Sequence, residues 1–324
     1  MAHGTTAAFN FERPTIALKI DIDTLRGTRE GIPRLLRLLD QENAAASFLF
    51  SMGPDNTGRA LKRIFKKGFL GKVRRTSVLE HYGLRTLTYG LLGSGPIISQ
   101  KATAIMRSVL SSGQDIAIHT WDHIAWQDSV SIQTAAWTQQ QINWAIEAFQ
   151  TVFKQSPKGF GAAGWQMNNH AFEYLSKLGF EWSSDCRGQY PFKPIIRNQV
   201  LSCLQIPTTL PTLDELIGVD GATISDSIRN LLTQTESSPQ KHHVFTLHAE
   251  LEGMKFMSHF CELLVNWKKQ GYDLISMDRY SKILSNQPIP SGTFIQGQVP
   301  GRSGTLCLQE TDPSSQPTLL GQQP

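Results

Sequence analysis

Thr15-Ile16-Ala17-Leu18-Lys19-Ile20-Asp21-Ile22-Asp23 is the stretch that decides the architecture. A short β-branched and apolar run ends in two carboxylates one residue apart. It reads as a strand over Thr15–Asp21 that delivers acidic side chains at its carboxyl end, where α/β folds place their sites. Two other runs end the same way. Asp115–His119 opens into His119-Thr120-Trp121-Asp122-His123, and Val244–His248 stops on His248. Taken singly, each feature has an ordinary explanation: a pair of partly buried histidines, a helix cap or turn, a hydrogen-bonded core imidazole. Their shared position at strand ends is what favours a functional reading.

Outward from these runs, strand-like and helix-like segments alternate. Further strands are predicted over Ala46–Ser51, Gly159–Ala163, Glu181–Ser184, Cys203–Ile206 and Asp273–Ser276. Helices are predicted over Ile32–Glu42, Gln133–Phe153, Asn169–Leu178, Ser225–Thr235, Lys255–Gln270 and Asp278–Leu284. The pattern is α/β with a mainly parallel sheet, and seven or eight strands favour a barrel over an open sheet. No internal repeat is visible. Residues 1–14 form an N-terminal extension, 15–308 the catalytic barrel, and 309–324 a Pro-, Ser- and Gln-rich tail expected to be disordered. Residues Gly292–Leu308 are expected to wrap the barrel.

The chemistry these residue types can perform is specific. Histidines four apart are expected to share one helical turn, so that both imidazoles of His119 and His123 reach one ion. A carboxylate is the usual third ligand of a catalytic metal, and the Asp21/Asp23 pair can divide its labour between ligand and proton acceptor. Protonating a leaving amine needs a group that carries a proton near neutral pH, which suits His248. Together these point to a metal-dependent amide hydrolase.

Composition sets the bounds. In 324 residues, 40% are hydrophobic and 18% charged, enough apolar residues for a full core. The cysteines Cys186, Cys203, Cys261 and Cys307 are far apart, so neither a disulfide scaffold nor a zinc finger is indicated. No signal peptide and no bilayer-length apolar run are seen, so a cytoplasmic protein with reduced thiols is expected. The net charge of +4 is local in origin. Eight basic and no acidic residues lie between Arg59 and Arg75, leaving 23 basic against 27 acidic elsewhere. Leu61, Ile64, Phe65 and Phe69 interleave with Lys62, Arg63, Lys66 and Lys67, the pattern of a helix lying on an anionic membrane surface. A solvated helix packed on the core has the same pattern. Nucleic acid is not expected as a partner, since no nucleic-acid-binding motif accompanies the patch.

With these residues in place, the chain resembles the polysaccharide deacetylase family of carbohydrate esterases. Asp21-Ile22-Asp23, His119 to His123 and Thr246-Leu247-His248 are similar to its motifs. Within the family the likeness is to deformylases acting on 4-deoxy-4-formamido-L-arabinose carried on undecaprenyl phosphate. It runs through Asp23–Gly31, Ser51–Asn56, Ala162–Trp165, Ser184–Gly188, Gln205–Gly218 and His248–Gly253. The resemblance implies a distorted seven-stranded β/α barrel with one divalent ion, zinc, cobalt, manganese or iron, held by Asp23, His119 and His123. Asp21 would be the general base, His248 the acid, Leu247 part of the formyl pocket, and the Trp165 backbone N–H an oxyanion donor. It also implies release of formate from the lipid-linked amino sugar at the inner face of the bacterial inner membrane, on the route to lipid A modification and polymyxin resistance. The alternatives are N-deacetylation of peptidoglycan or another polysaccharide, and a catalytically impaired protein that only binds the lipid-linked sugar. One motif departs from the family. Its Arg-x-Pro-aromatic pattern appears as Ala162-Ala163-Gly164-Trp165, followed by Gln166, and Arg187 is the candidate to replace the missing cation.

Overall fold

The computed structural model describes residues 9–60, 86–91 and 93–310. Its main sheet is wholly parallel and curls into a distorted β/α barrel. The strands are β1 (Thr15–Ile22), β2 (Ser47–Phe50), β3 (Asp115–Ile118), β4 (Gly159–Phe160), β5 (Trp182–Ser183), β6 (Leu204–Gln205), β7 (His242–His248) and β8 (Asp273–Ile275). The eight predicted strands are all present, several of them shorter than expected.

β1 organises the sheet. One edge pairs along Thr15–Asp21 with β7, bringing Asp21 level with His248. The other edge is shared: Thr15–Ala17 pair with β8, and Lys19–Ile22 pair with β2. The eight strands therefore occupy seven positions around the barrel, in the order β7, β1, β2 with β8 below it, β3, β4, β5, β6. Between β6 and β7 the ring closes through the segment after β6. There the Thr208 and Thr246 hydroxyls lie 2.7 Å apart, and the backbone N–H groups of Thr209 and Leu210 donate to the Val244 carbonyl.

Strand alternation sorts the side chains into two cores. Ile16, Leu18, Ile20 and Ile22 of β1, with Phe48, Phe50, Ile116, Ile118, Phe245 and Leu247, pack in the layer between sheet and helices. Ala17, Leu49, Ala117, Trp182 and Val244 fill the barrel's interior, and Phe9 and Phe11 pack against this inner cluster. Phe11 stacks on His242 with ring centroids 4.0 Å apart. Part of the N-terminal extension thus belongs to the core.

The surrounding helices are amphipathic. In α1 (Ile32–Gln41), Ile32, Leu35, Leu38 and Leu39 face the sheet behind a proline in the first turn. The outer layer continues with α2 (Thr103–Ser111), α3 (His123–Ser129), α4 (Ala135–Phe153), α5 (Asn169–Lys177), α6 (Ile224–Ser237), α7 (Met257–Lys269) and α8 (Met277–Leu284). Thr134 caps α4 by accepting from the Trp137 N–H. The expected wrap is present as an antiparallel pair, β9 (Phe294–Gly297) with β10 (Leu306–Gln309). It is tied to the barrel where Arg187 N–H donates to Cys307 and Gln309 N–H donates to Arg187. No helix among the described residues is long and apolar enough to cross a membrane.

Candidate metal centre

Asp21 and Asp23 leave the carboxyl end of β1 on its inner face, and His119 follows directly on β3. The histidines do not share a helical turn, which corrects the sequence expectation. Thr120 adopts φ +87°, a left-handed backbone rare for a β-branched residue, and reverses the chain after the strand. Asp122 then caps α3 by accepting from the Ala125 N–H at 3.0 Å, and His123 is the first residue of that helix. This reversal turns the two imidazoles toward each other, with centroids 5.3 Å apart.

Their Nε2 atoms converge on Asp23 Oδ1, at 3.3 Å from His119 and 3.4 Å from His123. One ligand atom from each of the three residues lies within 4.8 Å of the others. The His119 Nδ1 donates to the Gly161 carbonyl at 2.8 Å, since a carbonyl can only accept, and its Nε2 is left with a lone pair facing inward. Asp23 Oδ1 is buried without a hydrogen-bond donor. Buried lone pairs aimed at one point need a cation, and two imidazoles with one carboxylate fit a divalent metal with positions left open. Burial works to raise the Asp23 carboxyl, but the fields of His123, His119 and His248 overcome it and hold it well below the usual range.

A second ring of polar groups fixes these ligands. Glu250 accepts from the backbone N–H of Asp23 at 3.1 Å, and from the Thr24 N–H and hydroxyl at 2.9 and 2.7 Å. Burial, reinforced by the charge of Asp23, pushes the Glu250 carboxyl up to about 8. Glu252 accepts from the His248 backbone N–H at 2.9 Å, and burial raises its carboxyl to about 7. His248 itself is drawn two ways. Burial would lower its pKa, and the nearby carboxylates, Asp23 first, raise it above the ordinary imidazole value. Both glutamates lie inside the His248–Gly253 stretch, where sequence alone gives no sign of what they hold.

Other expectations are redirected. Arg187 does not face Asp21. Its guanidinium grips both oxygens of Glu215 at 2.6 Å and donates to the carbonyls of Thr208 and Leu210. The cation against Asp21 is Lys19, whose Nζ lies 3.3 Å from Oδ2. The Trp165 backbone N–H is engaged by the Ala162 carbonyl at 3.1 Å, within a 3₁₀ turn spanning Ala163–Trp165, so it is not aimed at the site. The Trp165 ring is buried, with Arg302 at 4.5 Å from its centroid and Lys19 and Arg187 further out. Leu247 is fully buried in the layer between sheet and helices, because strand alternation turns it to the face opposite His248. Gln166 ties the mouth to the C-terminal wrap by donating to the Thr305 carbonyl at 2.6 Å. Lys62, Arg63, Lys66 and Lys67 lie outside the described residues. The chain on either side of them is anchored at the mouth: Asn56 donates to Asp122 at 2.6 Å, and Gly58 N–H to the Tyr89 carbonyl at 2.9 Å.

Residues 10–183 match the polysaccharide deacetylase family. The chain is 33% identical over 296 residues to the probable 4-deoxy-4-formamido-L-arabinose-phosphoundecaprenol deformylase of Shewanella sediminis, covering 91% of this chain and 94% of that protein. It is 32% identical over 286 residues to the protein of the same description from Wigglesworthia glossinidia brevipalpis, covering 88% and 98%. Among solved structures, a Mycobacterium smegmatis protein assigned to the polysaccharide deacetylases has the same fold, with a TM-score of 0.61 at 16% identity over 90% of this chain and 97% of that one.

Proposed function

Because the chain belongs to the polysaccharide deacetylase family, and is therefore a hydrolase acting on an amide bond, we propose that it deformylates a 4-formamido sugar carried on undecaprenyl phosphate. The observation that carries this substrate is the identity of about a third, over nearly the whole of both chains, to proteins named for that reaction. Asp23, His119 and His123 would hold one divalent ion, zinc, cobalt, manganese or iron, which when bound polarises the formyl oxygen and acidifies water. Asp21 takes the proton from the water that attacks the formyl carbon. His248, level with Asp21 on the neighbouring strand, gives a proton to the sugar nitrogen as the C–N bond breaks, leaving formate and a free amine.

The substrate's lipid tail holds it in a bilayer, so the barrel mouth has to meet a membrane. The basic segment Arg59–Arg75 follows in sequence the loop after β2, the loop joined to the His119–His123 turn by Asn56 and Asp122. It would hold the protein on an anionic surface, each cation contributing on the order of 1 kcal/mol.

Purified protein loaded with metal should release formate from the lipid-linked formamido sugar, with one ion per chain, and the His123→Ala protein should lose both. Acetate release from N-acetylated polysaccharide, with no formate from the sugar lipid, would overturn the assignment in favour of an N-deacetylase. Changing Lys62, Arg63, Lys66 and Lys67 to Gln should weaken binding to anionic vesicles and slow turnover of the lipid substrate, while a short-chain soluble analogue is turned over as before. Undiminished sedimentation of that variant with vesicles would leave the segment an ordinary solvated helix.

A further inference from the structure

Lys19 stands on the inner face of β1, two residues before Asp21, and is completely buried. An ammonium in that position is costly unless it is paired and hydrogen-bonded. Its Nζ lies 3.3 Å from Asp21 Oδ2 and donates to the Ser184 carbonyl at 3.2 Å. Asp185, the other carboxylate close by, has its oxygens engaged by the Ala162 N–H at 2.8 Å and Gln205 Nε2 at 2.9 Å. Burial raises the Asp185 carboxyl and the Lys19 charge works against that rise, but the close ion-pair contact of Lys19 is Asp21.

The surroundings are shaped around this lysine. A Cβ on Gly161 would come within 3.1 Å of Lys19 Cε and 3.3 Å of Nζ, and within 2.4 Å of a Leu49 methyl. The same glycine accepts the His119 Nδ1 proton on its carbonyl. One residue thus makes room for Lys19 by lacking a side chain and orients a metal-binding imidazole through its backbone. The Trp165 ring lies beside the ammonium, 5.3 Å from Nζ to centroid.

Asp21 consequently has two unlike oxygens. Oδ2 is held by the ammonium, while Oδ1 is buried and carries no hydrogen bond. A carboxylate that must collect a proton from a nearby water needs one oxygen anchored and the other open in a fixed direction. We infer that Lys19 is the positioning residue of this site, fixing the Asp21 carboxylate by Oδ2 so that Oδ1 is presented to the proton it accepts. In this role Lys19 acts on the reaction through Asp21, not by contact with the reacting atoms. The inference rests on Asp21 being the base in the proposed reaction.

The experiment is a double-mutant cycle of Lys19→Met and Asp21→Asn, followed by kcat and KM on a short-chain formamido-sugar phosphate, metal content and Tm. Lys19→Met should lower kcat by about 10- to 100-fold, the usual cost of losing a group that orients a catalytic one. KM should hold within about 2-fold and metal should stay at one per chain, because a positioning loss leaves binding intact. In the Asp21→Asn background the same change should cost less than about 3-fold, since no carboxylate remains to be held. The double variant should also melt higher than Lys19→Met, because the Asp21 carboxylate is no longer left without its cation. The deciding comparison, double variant against Asp21→Asn, needs no folded Lys19→Met protein. A loss of 10-fold or more between those two, or native kcat in Lys19→Met, would overturn the role given to Lys19. Near-native turnover by Asp21→Asn would instead remove Asp21 as the base, and the inference would fall with that reading.

Discussion

At the scale of single residues, His248 and the metal ligands share one electrostatic field. In the role of general acid proposed for it, His248 works only while protonated, so the rate should fall as pH rises through its pKa. The surrounding carboxylates hold that pKa above the ordinary imidazole value of 6.5, against the pull of burial. A cation at Asp23 cancels part of that field. The alkaline limb of the loaded enzyme should therefore lie below the His248 titration seen by NMR in metal-free protein, and His248→Gln should lose the limb and about two to four orders of magnitude in rate. A limb unchanged in His248→Gln would place the proton donor elsewhere. That Asp21, Asp23, His119, His123 and His248 gather at one place was legible in the sequence, because each lies at or just past the end of a strand-like run. Lys19 was not, because it sits inside the run itself, and only the period of two along β1 puts it on the face of the two aspartates. The surroundings of Arg187, Leu247 and the Trp165 amide were not legible for a different reason. A partner such as Glu215, the face of a strand and the closing of a 3₁₀ turn are all settled by packing.

At the scale of elements, the strands were readable from their β-branched runs, and the longer helices from their apolar stripes. Two short elements at the mouth were not. Gly27–Gly31 and Leu251–Lys255 are single π-helical turns, a local insertion with no periodic signature, which recurs at functional sites. They pack against each other, a Cβ on Gly253 meeting Gly31 Cα at 3.0 Å, and the residues just before the second turn crowd the first: a Cβ on Gly31 would meet the Ala249 carbonyl oxygen at 2.3 Å, and one on Gly27 the Glu250 carboxylate at 2.0 Å. The Ala249 carbonyl is backbone and cannot swing aside. Gly31→Ala should therefore destabilise the fold by about 1–3 kcal/mol, read as a lower denaturation midpoint at unchanged m-value. It should also weaken metal retention, since Ala249 and Glu250 adjoin the site. A native midpoint in Gly31→Ala would mean the two turns are looser than their packing implies.

At the scale of the whole molecule, the seven-position barrel depends on contacts between the two ends of the chain. β1 is made more than 200 residues before its partners β7 and β8, so most of its pairing is non-local. Non-local pairing of this kind slows folding. It also sets a waiting time during synthesis. At roughly 5–20 residues per second, β1 emerges some tens of seconds before β7 exists to cover its edge. Through that interval Ile16, Leu18, Ile20 and Ile22 would make an aggregation-prone strand if they stood alone. They alternate instead with Lys19, Asp21 and Asp23, charges that discourage the strand from adding to another nascent chain. The charged positions proposed to hold the metal and move protons should thus serve first as gatekeepers, keeping an orphan strand soluble until its partner is made.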